Sequence, residues 1–249
     1  MLSKLAVEDT MNADILDDYN QKKHWHCLPV SQSHGSVPRR LHAVKPLSAQ
    51  SQPESEQQLR ASVQEKADRG DYPEAIALLN QLLERYRDNA IDYNNRGLMY
   101  FRNGQLPEAI ADYNKALELN PRLDSAYNNR ANCHAAQGNL AAALADYEMA
   151  LDFNPGNLRA WINQGITFRE LGLYDLALDN FEFALALGRR LKERIYAERG
   201  RTYHLRGDWN CAVADYHRAL AQLPATAMSY RYKQQIEAWL NQLLNPISA

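Results

Sequence analysis

Arginines and acids recur together at a fixed spacing in this sequence. Sixteen residues separate the members of three pairs: Arg96 and Asp112, Arg130 and Asp146, Arg199 and Asp215. A guanidinium binds a carboxylate through two parallel hydrogen bonds, so each arginine could hold an acidic ligand or its own acid. Where Gln164 replaces arginine, the partner is the neutral Asn180. Because the two positions change together, we expect structural pairs across packed helices rather than ligand-binding groups.

Asparagines form a second regularly spaced set, at Asn95, Asn129 and Asn163, with Asn94, Asn128 and Asn132 at neighbouring positions. A carboxamide offers a donor and an acceptor, so an asparagine ladder could bond both polar groups of an extended peptide backbone. The same amides could instead bond to neighbouring helices. The residues leave both hypotheses open.

Metal-binding and catalytic side chains occur without the spacing that a site requires. The first 55 residues hold His24, His26, Cys27, His34 and His42, but no second paired cluster accompanies them. We therefore expect no metal site. The chain has no phosphate-binding glycine loop, no HExxH and no nucleophile elbow, and His134 takes the place of a core ring. The sequence predicts no cofactor and no enzyme activity.

Composition places the chain among soluble globular proteins, with 249 residues of which 45% are apolar and 23% charged. The formal charge of −2 predicts no binding to nucleic acid. Three widely spaced cysteines indicate a reducing compartment. No apolar run reaches the roughly 18 to 20 residues of a membrane span. We expect a cytoplasmic protein without membrane insertion.

Residues 1–55 and the rest of the chain differ in composition and in periodicity. The first part is rich in proline, serine, glutamine and histidine, which predicts a flexible arm, with a short acidic amphipathic helix within 7–23. From about residue 56 a period of 34 residues appears. It places glycines at Gly70, Gly104, Gly138 and Gly172, small residues at Ala75, Ala109, Ala143, Ala177 and Ala212, and rings at Tyr113, Tyr147, Phe181 and Tyr216. Each unit predicts a helical hairpin whose faces are buried only by stacking.

The unit from Tyr93 to Pro121 resembles the tetratricopeptide repeats in its order of aromatic, glycine, tyrosine, alanine and proline residues. The prediction is an all-α, right-handed superhelical solenoid of five helix-turn-helix hairpins, followed by a capping helix and tail at 227–249. We place the repeats at 56–89, 90–123, 124–157, 158–191 and 193–226.

The resemblance implies a concave groove formed by the first helix of each repeat. By repeat register, six arginines face or border it: Arg60, Arg102, Arg159, Arg169, Arg194 and Arg201. Asp68, Glu170 and Glu198 oppose them, so the groove is expected to be positive and to favour acidic peptides or a C-terminal carboxylate. Relatives that clamp such a carboxylate use five positions, occupied here by Arg60, Gln64, Asn95, Ser125 and Asn129. Only Asn95 has the matching type.

The function that follows is a non-enzymatic adaptor or scaffold that holds a partner's peptide segment in the groove. The acidic N-terminal helix would either recruit a partner or occupy the groove itself. The alternative is a structural subunit or assembly factor held permanently in a larger complex through its convex face, its end helix or its N-terminal arm.

Overall fold

A computed structural model describes residues 55–188, 191–224 and 227–244. The expected N-terminal helix within 7–23, the arm around it and the histidines from His24 to His42 lie outside these ranges. Nearly all of the repeat region lies inside them. The compact unit that begins at Leu59 carries the features described below.

The described residues form eleven helices and no strands, which confirms the all-α prediction. The helices are α1 (Glu56–Arg69), α2 (Tyr72–Arg85), α3 (Ala90–Arg102), α4 (Leu106–Leu119), α5 (Asp124–Ala136), α6 (Leu140–Phe153), α7 (Leu158–Glu170), α8 (Tyr174–Leu187), α9 (Lys192–Arg206), α10 (Trp209–Gln222) and α11 (Ala227–Leu244). Consecutive helices from α2 to α11 contact one another, α1 and α2 share one apolar cluster, and α3, α5, α7 and α9 also contact one another in order. We call these four the first helices. None of the described helices has the length and apolar character to cross a bilayer.

Two helices of a hairpin join through a turn that depends on glycine. Gly70, Gly104, Gly138, Gly172 and Gly207 all have positive φ angles, between 75° and 94°. A side chain at Cβ disfavours this conformation, whereas glycine adopts it freely. The glycine period therefore marks the end of the leading helix of each hairpin, α1 included.

A second glycine position lets the two helices of a hairpin approach closely. A Cβ atom added to Gly97 would lie 2.7 Å from Cε1 of Tyr113, well inside van der Waals contact. Gly165 faces Phe181 and Gly200 faces Tyr216 in the same way. The small residues thus make room for the ring column, whose members Tyr113, Tyr147, Phe181 and Tyr216 are 0–2% exposed.

The last helix covers the end of the fifth hairpin. Ile236 and Leu240 of α11 are buried in one cluster with Tyr216 and Ala219 of α10. The Trp239 ring lies 6.0 Å from the Tyr216 ring. The apolar stripe of α11 is therefore a packing surface, as expected for a helix that caps a stack of hairpins.

Candidate functional site

The three arginine–acid pairs are formed in the structure, each across the two helices of one hairpin. Nε and Nη2 of Arg96 donate to the two Asp112 carboxylate oxygens at 2.7 and 2.6 Å. The corresponding distances are 2.7 and 2.7 Å for Arg130 with Asp146, and 2.6 and 3.1 Å for Arg199 with Asp215. All three aspartates are buried. The arginines of these pairs are thus bound on their forked edge.

Each arginine in these pairs also reaches the hairpin before it. Nη1 of Arg96 donates to Asn80 at 2.7 Å, and Nη1 of Arg130 donates to Asn114 at 2.7 Å. Nη1 of Arg199 lies 3.9 Å from the Glu182 carboxylate. We call each set of arginine, aspartate and preceding side chain a clamp, since it joins three helices. This third member was not predicted from the sequence, although Asn80 and Asn114 stand sixteen residues before their arginines.

Aromatic rings complete the surroundings of each clamp. The Arg96 guanidinium carbon lies 5.4 Å from the Tyr93 ring centre and 5.8 Å from that of Tyr100. The hydrogen bonds to Asp112 raise the pKa of Arg96 despite its partial burial. Cation–π contact and the ion pair together hold the side chain in one place.

The fourth hairpin lacks this arrangement. Nδ2 of Asn180 donates to the backbone oxygen of Leu176 at 2.8 Å, one turn earlier in its own helix. Within the described ranges, Oε1 of Gln164 and Oδ1 of Asn180 have no hydrogen-bond partner. The two amides change in step with the charged pairs but do not bond to each other.

A pocket of about 450 Å³ lies along the four first helices. Seven of the twelve groove residues predicted from the sequence line it: Arg102, Asn128, Asn129, Asn132, Arg159, Asn163 and Arg194. Seven further residues complete the lining: Leu98, Phe101, Ala135, Tyr147, Ile166, Thr167 and Glu170. Of these, only Glu170 was predicted from the sequence to lie at the groove, as an opposing acid. Leu98 and Ile166 occupy the repeat position of Asn132, so the 34-residue register contained the signal for both.

Hydrogen bonds between neighbouring repeats orient the pocket amides. Nδ2 of Asn163 and the hydroxyl of Tyr147 both donate to Oδ1 of Asn132, at 2.9 and 2.7 Å. Nη2 of Arg194 donates to Oδ1 of Asn163 at 3.0 Å. We call these four side chains the relay. The amide oxygens of Asn132 and Asn163 accept hydrogen bonds from side chains of neighbouring helices. These two asparagines therefore bond to neighbouring helices, as the second hypothesis expects.

Asn128 and Asn129 form a similar set one hairpin earlier. Nδ2 of Asn129 donates to Asn94 at 3.0 Å, and Nδ2 of Asn128 donates to Asn129 at 3.2 Å. Asn94 is 7% exposed and lies outside the pocket lining. Asn95 is half-buried and also lies outside it.

The charges that remain at the pocket are mostly positive. Arg102 and Arg159 are exposed, and neither has a hydrogen bond or ion pair with the residues that the structure describes. Arg194 is half-buried and, among the residues that the structure describes, is bonded on one nitrogen. Glu170 is the acid of the lining. Three guanidinium groups against one carboxylate make this surface attractive to anions.

Three of the predicted groove arginines are bound elsewhere. Both terminal nitrogens of Arg60 donate to the buried Asp92, one of them at 2.8 Å. Arg169 donates to Glu198 at 2.7 Å. The Arg201 guanidinium carbon lies 5.5 Å from the Trp239 ring centre, so the capping helix covers it. Each of these partners belongs to another repeat or to α11, where helix register alone does not reveal it.

Cys133 and His134 follow the packing of their hairpin. Cys133 is fully buried, and burial raises the pKa of its thiol to about 12. Nε2 of His134 lies 3.9 Å from Asp146. Among residues 55–188, 191–224 and 227–244, no three histidine, cysteine, aspartate or glutamate side chains form a group that could hold a metal ion.

Family models of the repeat match three segments of the chain. One described as "TPR repeat" matches residues 97–138, and two described as "Tetratricopeptide repeat" match residues 125–157 and 58–89. No protein of curated function matches the sequence.

Solved structures of similar fold extend this likeness over most of the chain. A tetratricopeptide repeat protein of Thermus thermophilus is 20% identical with a TM-score of 0.65, and the match covers 74% of this chain and 100% of that one. A protein of the same repeat class from Parabacteroides merdae ATCC 43184 is 21% identical with a TM-score of 0.59, covering 75% and 73%. MamA residues 41 to the end from Desulfovibrio magneticus RS-1 are 16% identical with a TM-score of 0.57, covering 66% and 92%. These likenesses establish the fold.

Proposed function

The chain contains tetratricopeptide repeats, and we propose that it is a non-enzymatic adaptor that holds a segment of a partner protein in the pocket along its first helices. The observation that carries this proposal is the contrast in how polar groups are bonded. The clamps bind their arginines on several sides, whereas Arg102 and Arg159 extend into the pocket without a partner among the described residues. Exposed guanidinium groups beside apolar lining are suited to binding rather than to stability.

The partner segment is acidic, or ends in a carboxylate that reaches the pocket. Arg102, Arg159 and Arg194 supply guanidinium groups that bind carboxylates in a forked geometry. Leu98, Phe101 and Ile166 supply apolar contact between these charges. A segment with both kinds of side chain uses the whole lining.

Site-specific photo-crosslinking tests this proposal directly. A benzophenone side chain placed at the exposed pocket residue Glu170 is expected to capture one contiguous segment of a partner, identified by mass spectrometry. The matched control carries the same group at Phe183, which is 50% exposed on α8 and outside the pocket. Capture at Phe183 but not at Glu170 would contradict the proposal.

A permanent structural subunit is the second candidate, and exposed aromatic residues favour it. Trp209 is 66% exposed at the start of α10. Phe183 stacks on Trp161 with ring centres 5.2 Å apart and stays half exposed. The same crosslinking pair separates the two functions, because a subunit fixed through the exposed Phe183 ring would be captured from Phe183.

A further inference from the structure

The relay determines which hydrogen-bonding groups the pocket still offers. Oδ1 of Asn132 accepts from both Tyr147 and Asn163, which uses its two lone pairs. The Asn132 N–H groups have no partner within the described part of the chain. Among the described residues, Arg194 uses one nitrogen on Asn163 and keeps its other donors. At Asn132 and Arg194 the relay therefore presents donors to a ligand, whereas an asparagine ladder could present donors and acceptors alike.

The uncommitted arginines stand at two separate places along the pocket. Arg102 ends α3, whereas Arg159 stands at the second position of α7, two first helices further on. Neighbouring helices pack about 9 Å apart, so two steps along the groove give about 18 Å. Arg159 and Glu170 stand eleven positions apart on α7, which adds about 16 Å across the groove at about 1.5 Å per residue. The diagonal is about 24 Å, which an extended peptide spans in about seven residues at about 3.3 Å each.

Apolar side chains line the pocket around this diagonal. Leu98 and Phe101 of α3, Ala135 of α5 and Ile166 of α7 all line the pocket. Glu170 stands at the end of α7 that corresponds to the Arg102 end of α3, so a further acid of the ligand would be repelled there. Leu98 and Ile166 thus stand on either side of Asn132 at the middle of the diagonal, between the positive charges at its two ends.

We propose that the pocket selects an internal, extended segment with two acidic residues about seven positions apart and an apolar residue between them. Arg102 binds one carboxylate. Arg159 and Arg194 bind the other, and the N–H groups of Asn132 bind backbone carbonyls of the segment. This inference rests on the proposed function and adds the chemistry of its ligand.

Synthetic peptides test the spacing and the charge. The probes are twelve-residue peptides of serine and glycine with one central leucine, acetylated and amidated at their ends and labelled for fluorescence anisotropy. One carries two glutamates seven positions apart, one carries them three apart, and one carries glutamines at the seven-residue spacing. With the full chain, the seven-spaced glutamate peptide is expected to bind about tenfold more tightly than the glutamine peptide and about threefold more tightly than the three-spaced peptide.

Variants of the protein test which arginines bind the two acids. Arg102→Gln and Arg159→Gln are each expected to weaken binding of the seven-spaced peptide about three- to tenfold, and added salt weakens it further. Lys115→Gln is the matched control, since Lys115 is an exposed cation paired with Glu118 outside the pocket. It is expected to leave the affinity unchanged.

The contribution of the relay to binding can be tested with residues that occur at the same positions of another hairpin. Hairpin four carries Ile166 and Phe181 where hairpin three carries Asn132 and Tyr147. The double variant Asn132→Ile with Tyr147→Phe transfers this natural pair and is expected to keep the fold while weakening the seven-spaced peptide about threefold or more.

Each of the following results would overturn the inference. Equal affinity for glutamate and glutamine peptides would show that the pocket does not select anions. Equal affinity for both spacings would show that the two arginine positions do not set the spacing of the acids. Absence of binding by every capped peptide would show that the pocket does not bind an internal segment. Binding only when the same peptide has a free C-terminal carboxylate would also contradict it. Crosslinking from Glu170 to a segment without paired acids would leave the adaptor function standing and refute this ligand chemistry alone.

Discussion

Arginine has opposite surroundings in two regions of this molecule. In the clamps, Arg96 and Arg130 bind an aspartate with two nitrogens and a preceding asparagine with the third. In the pocket, Arg102 and Arg159 are exposed and have no such partners in the part of the chain that the structure describes. The same residue type therefore stabilises the stack of hairpins in one region and remains available to a ligand in the other.

The largest effect is expected from breaking a clamp. Asp146→Ala removes a buried carboxylate and leaves Arg130 without its main partner. Unfolding in urea should show a loss of about 2–4 kcal/mol, reduced from the value for a fully buried pair because the Arg130 side chain keeps 22% of its exposure. An unchanged urea midpoint would show that the clamp does not stabilise the fold.

Building a clamp where the chain lacks one sharpens the same comparison. Gln164→Arg and Asn180→Asp place a charged pair in hairpin four, where Trp161 and Phe168 stand at the same distances along the chain from residue 164 as Tyr93 and Tyr100 do from Arg96. Each single variant should destabilise the protein, and the double variant should recover a coupling free energy of about 1–3 kcal/mol in a double-mutant cycle. If the free-energy changes of the two single variants add up to that of the double variant, the introduced charges do not interact, and the arginine–aspartate pair alone is not enough to form a clamp.

Removing the hydroxyl of Tyr147 and of Tyr113, which share one repeat position, should change stability less than breaking a clamp and in opposite directions. Tyr147→Phe removes the hydrogen bond to Asn132 and should destabilise the protein by about 1 kcal/mol. The Tyr113 hydroxyl is buried and has no partner within the described ranges, because Leu98 stands where Asn132 stands in the next hairpin. Tyr113→Phe should therefore be neutral or stabilising by up to about 1 kcal/mol. Thermal unfolding of both variants measures the difference, and equal losses would contradict the relay.

The smallest effect on stability is expected in the pocket. Arg159→Gln replaces an exposed side chain outside any clamp, so the free energy of unfolding should change by less than about 0.5 kcal/mol. A urea titration beside the wild type checks this. A loss of unfolding free energy comparable to that of Asp146→Ala would show that Arg159 stabilises the fold as the clamp arginines do.

The sequence was informative wherever one period places both partners. The spacing of sixteen residues indicated the pairing of Arg96 with Asp112, since both lie within one hairpin. The ring and glycine columns indicated hairpins and their turns for the same reason. Register within a first helix also indicated that Arg102, Arg159 and Arg194 face one surface.

Contacts between different repeats could not be predicted from the sequence period. Arg169 and Arg201 have the register of groove residues, but Glu198 and the Trp239 ring of α11 engage them. The orientation of the Asn132 amide depends on Tyr147 and Asn163, which belong to different helices. Register gives the face of a helix, whereas the neighbour on that face depends on how the repeats stack. The repeat boundaries and the role of the N-terminal arm stay predictions.

The most direct test of this account measures stability and ligand affinity together for two arginine variants. Arg130→Gln should lower the free energy of unfolding and leave the affinity for the seven-spaced glutamate peptide unchanged in the folded protein, because Arg130 bonds Asp146 and Asn114. Arg159→Gln should weaken the peptide about three- to tenfold and leave stability unchanged. If the two properties fall together in both variants, the division between clamp and pocket arginines is wrong.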